Sequence, residues 1–237
     1  MKAAFEAGRR YYGSPRIVRE LREQGVRVGR NRVMRLMRDQ GLEARAKRRF
    51  KNTTDSNHAL PVAPNLLDRD FTAERPNQRW GGDTTELVTP EGKLYLAAII
   101  DLFSRFVVGW AISASNDRQV VLEALGMALR RRCPGPGLLH HSDRGCTYAS
   151  EDYQKALEQH GITCSMSRSG NCLDNAAMES WNSTLKGELG EQFESHEDAQ
   201  AKVFDYIEAF YNPKRRHSAL DYLSPAEFER AQARRAA

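Results

Sequence analysis

Three carboxylates stand where a role in chemistry explains them better than solvation does. Asp83 lies inside the strand-like run WGGDTTEL, Asp143 follows directly on the apolar LLHHS, and Glu179 opens a helical pattern after the glycine-containing SRSGNCLD. Most other acidic residues ride on helix surfaces, where water accounts for them. Carboxylates gathered at one point repel each other and hold their protons tightly unless divalent cations lie between them. Hard oxygen ligands suit Mg²⁺, with Mn²⁺ as a substitute, and two such ions roughly 3.5–4 Å apart stabilise the attacking and leaving oxygens of an in-line displacement at phosphorus. The chemistry implied is phosphodiester cleavage or transfer. Glu179, Asn182, Ser183 and Lys186 recur at i, i+3, i+4 and i+7, so one helix face carries a carboxylate, two polar groups and a cation aimed along a phosphate path. Spacing alone describes Lys186 equally well as an ordinary surface lysine.

A sheet and a helix must bring these groups together. Strand patterns run from Trp80 to Val88, Leu94 to Asp101 and Phe106 to Ser113, the first two joined by a turn at Pro90, Glu91 and Gly92. Asp117 caps a helix to Arg132, Leu138–Ser142 is a short strand, and a helix spans Ser150–His160. Ile162–Ser165 is the fifth strand, and a helix from Asn175 to Leu189 follows the loop Ser169–Asp174. This order predicts an α/β fold: a mixed five-stranded sheet with helices on both faces. If the first and fourth strands are neighbours, Asp83 and Asp143 lie side by side and Glu179 closes the triangle. Asp174 reads as the cap of the following helix, and Asp101 as a weaker rival to Asp83. Of His140 and His141 at most one faces the site, with a structural or DNA-contacting role for His141. Trp80 and Trp110 read as core, and Trp181 as core or as a stacking surface. Helices near His196–Tyr211 and Pro225–Ala233 flank NPKRRHSALDYLSP, where Lys214, Arg215, Arg216 and His217 either hold phosphates or solvate a turn.

Charge divides the chain. The net +5 of the 237 residues conceals 16 Lys and Arg against 5 Asp and Glu in residues 1–51, and 20 against 26 in the remainder. A basic head on a mildly acidic body points to a polyanion as the head's partner. Within the head, Ser14 reads as the cap of a helix that begins at Pro15, buries Ile17, Val18 and Leu21, and ends at Gly25. A second helix, Arg30 to Gln40, buries Val33, Leu36 and Met37, stops at Gly41 and turns Arg30, Asn31, Arg32, Arg35 and Arg38 outward. A helix-turn-helix of this kind places Arg30, Asn31 and Arg32 at base edges and Arg35 and Arg38 on phosphates. The expected division is a DNA-binding head at 1–46, a linker at 47–75, a catalytic core at 76–190 and a helical extension at 191–237. The linker opens with the basic cluster Arg45, Lys47, Arg48, Arg49 and Lys51 and continues past Pro61 and Pro64.

The longest apolar run, Leu94 to Ile100, is too short for a membrane span, and MKAAFEAGRRYYG lacks a secretory pattern, so a cytoplasmic location is expected. Four cysteines without a CxxC pair argue against disulfides or a zinc ribbon.

The ordered segments WGGDTTEL, YLAAIIDLFSRFVVGWAIS, HHSDRGCTY, SRSGNCLDNAAMESWNSTLKGEL and YNPKRRHSALDYLSPAEF resemble the DDE transposases of bacterial insertion sequences, specifically the second-frame product of the IS3 family. The 35 residues between Asp143 and Glu179, and Lys186 seven residues further on, match that pattern. The resemblance implies a ribonuclease-H-like core shared with retroviral integrases, in which Asp83, Asp143 and Glu179 hold two Mg²⁺ ions and, with Lys186, are catalytic. It implies cleavage at the ends of an element, attack by the freed 3′-hydroxyl on target double-stranded DNA, a homo-oligomer on that DNA in the bacterial nucleoid, and an upstream-frame partner or fusion. Departures are Gly81 and Gly82 ahead of Asp83 and Trp181 after Glu179, together with the lack of an integrase-type zinc module. A DNA-binding regulator with a decayed core and a structure-specific nuclease are the alternatives.

Overall fold

Strands β1 (Arg79–Thr89), β2 (Gly92–Asp101), β3 (Val107–Ser113), β4 (Leu139–Ser142) and β5 (Thr163–Met166) form one sheet in the order β3-β2-β1-β4-β5. The computed structural model describes residues 1–44, 60–190 and 192–236, so the basic cluster between Arg45 and Lys51 lies outside the described residues. β1, β2 and β3 are an antiparallel meander, and β4 and β5 add in parallel on the other side of β1. The expected fold is therefore present, with β5 one residue later than read. β1 and β2 meet at Thr89↔Gly92, where Gly92 takes a φ of +124° that other residues rarely adopt.

Alternation along β2 separates two cores. Leu96, Ala98 and Ile100 pack with Met178, Trp181 and Leu185 of α6 (Ala176–Leu189). Ala97 and Ile99 pack with α4 (Arg118–Arg132) and α5 (Glu151–Gln159) on the opposite face. Asp117 caps α4 as read, accepting from the Gln119 N–H at 2.9 Å. At Gly109 a Cβ would come within 2.2 Å of the Ala124 carbonyl oxygen, so this glycine lets α4 settle onto β3. After α6 come α7 (His196–Phe204), a wider π-helical stretch Asp205–Tyr211 that completes the expected helix, and α8 (Pro225–Ala236). Among the described residues no helix is long and apolar enough to cross a membrane.

The head contains α1 (Lys2–Ala7), which its short pattern did not announce, then α2 (Ser14–Glu23) and α3 (Arg30–Asp39). Ile17, Val18, Leu21, Val33 and Met37 are buried, whereas Leu36 is half-buried. Ser14 is not the cap: Gly13 occupies that position, and Ser14 is the first helical residue, ahead of Pro15. Gly25 and Gly41 follow their helices at φ +80° and +61°.

The head does not hang free of the body. The Tyr12 hydroxyl donates to the Lys214 carbonyl at 3.3 Å and accepts from the Arg216 N–H at 2.9 Å, while Arg9 pairs with Asp205 at 2.6 Å above the Phe210 ring. Arg216 bonds Glu20 at 2.8 Å and also pairs with Glu23, both on α2. Arg215, 2% exposed, forms a two-pronged pair with Glu188 of α6 at 2.7 and 2.5 Å, and the Tyr206 hydroxyl donates to the same carboxylate at 2.7 Å. The basic loop is thus neither a solvated turn nor an open phosphate cradle. Its two arginines fasten the body to itself and to the head.

Candidate active site

The register of β1 against β4 brings the two aspartates together. Trp80 lies opposite His140 and Gly81 opposite His141, so two residues further along each chain carries Asp83 and Asp143 to the same end of this strand pair. β4 ends at Ser142, which frees Asp143 to fold back, and its Oδ1 accepts from the Gly145 N–H at 2.9 Å. The glycines ahead of Asp83 admit side chains rather than another backbone. A Cβ at Gly81 would stand 3.3 Å from Met178, and one at Gly82 would stand 2.9 Å from the His140 ring. Gly81 thereby lets α6 lie close over β1, and the Asn175 amide donates to the Gly82 carbonyl at 3.3 Å to fix the start of that helix.

From that start α6 carries Glu179 to the aspartates. The Asn182 amide donates to Asp83 Oδ2 at 2.6 Å, and the Thr84 N–H donates to Asp83 Oδ1 at 2.9 Å. The Asp83 pKa is pushed well above the ordinary carboxylate range, first by burial and next by the charge of Asp143. Glu179 adds to the rise, while the Thr84 bond and the Lys186 charge oppose it. Burial lowers the Lys186 pKa, and Glu86 and Asp83 push it back up. All four residues singled out by sequence therefore share one electrostatic neighbourhood. Asn182 shares their helix face in the sequence, but its direct bond to Asp83 was not legible there.

The donor set fits a hard divalent cation. It offers carboxylate oxygens in mutual repulsion and Asn182 Oδ1, a buried acceptor with no partner among the described residues. Among the described residues no three His, Cys, Asp or Glu side chains close on one point as a finished metal cage. Asp83, Asp143 and Glu179 are the side chains that would hold the ion.

Other expectations sort differently. Asp174 does not cap α6. Its buried carboxylate accepts from the Arg168 guanidinium at 2.8 Å and its N–H at 3.0 Å, from Arg69 at 2.8 Å and from Asn65 at 3.0 Å, which pins the loop before α6. Asp101 lies opposite Trp80, three register steps from Asp83, and accepts from the Asn77 and Phe103 N–H groups. Trp181 is 3% exposed and belongs to the core, while Trp110 is half-buried with its indole N–H on Glu208 at 2.9 Å. On α3, Arg30, Asn31, Arg32, Arg35 and Arg38 are all exposed.

Both histidines are interior. His141 meets Ser165 at 2.9 Å and Ser167 at 3.2 Å, and His140 meets Tyr153 at 3.1 Å, which leaves His141 a structural role only. Burial drives their pKa values down to about 3 for His140 and about 4 for His141. Between the ordinary imidazole value near 6.5 and these depressed values, the unfolded chain binds more protons than the folded one. Stability from these groups is therefore complete above about pH 6.5 and declines as pH falls toward 4. Asp101, raised to about 6 by burial, opposes this, as does Asp83, raised by burial and by Asp143. Imidazole NMR shifts of His140 and His141 should stay constant from pH 7.5 to 5, and titration of either ring near 6.5 would contradict its burial.

Residues 73–172 match the family described as Integrase core domain, residues 160–225 a second family of the same description, and residues 1–50 an HTH-like domain. The chain is 48% identical over 229 residues to the transposase InsF of insertion sequence IS3A from Escherichia coli K12, covering 96% of this chain and 80% of that protein. It is 45% identical over 230 residues to an uncharacterized 31 kDa protein of insertion element IS600 from Shigella sonnei, covering 96% and 85%. Among solved structures, the HTLV-2 integrase catalytic core domain in complex with magnesium aligns at 16% identity and TM-score 0.52, covering 66% of this chain and 99% of that one. An intasome of simian T-cell lymphotropic virus aligns at 16% identity and TM-score 0.56, covering 74% and 60%. These two share the fold.

Proposed function

The chain belongs to the transposases of IS3-type insertion sequences, and from that premise we propose that it cleaves one DNA strand at an element's ends and joins the freed end to target DNA. The observation that carries this reading is the meeting of β1, β4 and α6 at Asp83, where the parallel β1–β4 pairing leads to Asp143 and the Asn182 amide of the Glu179 helix bonds the Asp83 carboxylate at 2.6 Å. Bound Mg²⁺ or Mn²⁺ supplies charge neutralisation at the phosphorus and at the attacking and leaving oxygens. The chain's own groups do the rest. Asp83, Asp143 and Glu179 hold the ions, Asn182 holds the Asp83 carboxylate in one orientation, and Lys186 draws a backbone phosphate toward them. In cleavage a water oxygen bonds phosphorus as the bond to the 3′-oxygen breaks, the water losing a proton to solvent and the departing 3′-oxygen taking one up to become a hydroxyl. In joining, that 3′-hydroxyl loses its proton and attacks a target phosphodiester, displacing the target's own 3′-oxygen.

Residues 1–46 would bind element ends through α3, residues 76–190 would carry the chemistry, and residues 191–237 would brace the two. A homo-oligomer on the DNA, and an upstream-frame partner or fusion, complete the proposed assembly. The test supplies DNA ending in a 3′-hydroxyl together with Mg²⁺. Joined products are expected, whereas cut products without joining would make the protein a nuclease, and intact binding with neither would make it a regulator.

The docking of the head changes how DNA recognition is tested. Deleting residues 1–51 would uncover Phe210 and leave Arg216 unpaired, so point substitutions are the sounder probe. Arg30→Ala or Asn31→Ala should cost about 1–3 kcal/mol on the cognate end and relax sequence preference. Arg38→Ala should weaken binding evenly across sequences and reduce the salt slope by about 1. Equal losses on cognate and random DNA for Arg30→Ala would remove base reading from that residue.

A further inference from the structure

Behind the helix that carries Glu179 lies a cavity of 390 Å³, within the size range of small-molecule sites. Ser180, Trp181 and Thr184 of α6 form one wall, on the side of the helix away from Asn182 and Lys186. Arg16 of α2, Arg105 of the turn between β2 and β3, and Arg215 also line it. Arg215 is paired with Glu188 through two hydrogen bonds, whereas the half-buried guanidiniums of Arg16 and Arg105 make no ion pair with a carboxylate among the described residues; Glu188 acts on Arg16, and Asp101 on Arg105, only through space. Arg16 lies over the Tyr12 ring, 5.5 Å from its centre. Burial pulls both arginine pKa values down, and for Arg16 the nearby Arg215 charge adds to the fall, while Glu188 opposes it for Arg16 and Tyr211 and Asp101 oppose it for Arg105. Trp181, which also lines the cavity, is 3% exposed, and its indole N–H is buried with no acceptor among the described residues. Two half-buried cations that face a partly closed cavity without an ion-pair partner are stabilised when an anion joins them.

We propose that this cavity binds a phosphate ester, its oxygens accepting from Arg16 and Arg105 and its organic portion lying against the aromatic lining that includes the half-buried Phe71. Guanidinium forks suit a phosphate's several acceptor oxygens, and an aromatic wall suits a base or sugar. The same chemistry is offered by a free nucleotide and by the 5′-terminal nucleotide of a DNA strand. Because Arg16 belongs to the head and Ser180 to α6, an occupant would tie the position of the head to the helix that bears Glu179.

The test uses the full chain in EDTA, which removes any contribution from divalent ions at the carboxylates. Inorganic phosphate, dAMP and a 5′-phosphorylated hexathymidylate are titrated by calorimetry. Wild type should bind at least one probe, with Arg105→Gln and Arg16→Gln each weakening it tenfold or more and Glu179→Gln leaving it unchanged. Binding of phosphate or dAMP assigns a free ester, and binding of the oligonucleotide alone assigns a strand end. Arg105→Gln should also leave the melting temperature level or higher, because it removes an unpaired cation, whereas a purely structural arginine would lower it. No binding of any probe at millimolar concentration, or equal binding by the Arg16→Gln/Arg105→Gln double variant, would overturn the proposal.

Discussion

Asp83→Asn, Asp143→Asn and Glu179→Gln should each reduce metal-dependent cleavage and joining by roughly a thousandfold or more, because each removes a metal-holding oxygen from groups that act as a unit. The same substitutions should leave the fold standing. Asp83 is disfavoured as a charge by burial and by its two acidic neighbours, so the neutral amide relieves repulsion that the metal-free protein carries. Asp83→Asn should therefore melt no lower than wild type without divalent ions, and lose the melting-temperature gain that Mg²⁺ gives wild type. Loss of activity together with loss of the fold would mean that Asp83 is structural. Lys186→Ala deletes a cation rather than a metal ligand, and should retain partial activity with a larger defect on weakly bound DNA.

Arg215→Met should destabilise the protein by about 3–5 kcal/mol, because it strands the Glu188 carboxylate in the interior with only the Tyr206 hydroxyl to bond it. Glu188→Leu should cost a similar amount by stranding Arg215. The double variant should recover most of either loss, since replacing both charges removes the desolvation penalty together with the attraction. Urea unfolding of the three variants measures this directly. Arg216→Ala should cost less, because Glu23 remains 45% exposed and water replaces the lost partner. Equal stability of Arg215→Met and wild type would contradict the buried pair.

The five strands and the fold class were legible because strand periodicity and the glycine breaks mark each strand in turn. Placement of Asp143 beside Asp83 followed from one adjacency, β1 with β4, which the register bears out. Interactions between residues distant in sequence were not legible. Arg215 and Arg216 look like surface cations in NPKRRHS, since nothing local announces Glu188 or the α2 glutamates as partners. Asp174 looks like a helix cap because it precedes a helix, yet Arg69, 105 residues earlier, and Arg168 claim its oxygens first. Gly81 and Gly82 stand out in the sequence as departures from the family pattern, and what they make room for, Met178 and the His140 ring, comes from distant segments. Trp181 keeps an apolar position at the cost of an unpaired N–H, a conflict visible only when its neighbours are in place.

The most direct measurement is to replace Mg²⁺ with Fe²⁺ in the DNA-bound protein and map where hydroxyl radicals generated at the iron cut the polypeptide. Cuts should cluster beside Asp83, Asp143 and Glu179, fade with excess Mg²⁺ and disappear in Asp83→Asn and Asp143→Asn. Cuts elsewhere in the chain, or an unchanged pattern in Asp143→Asn, would contradict a divalent-metal site built from these carboxylates.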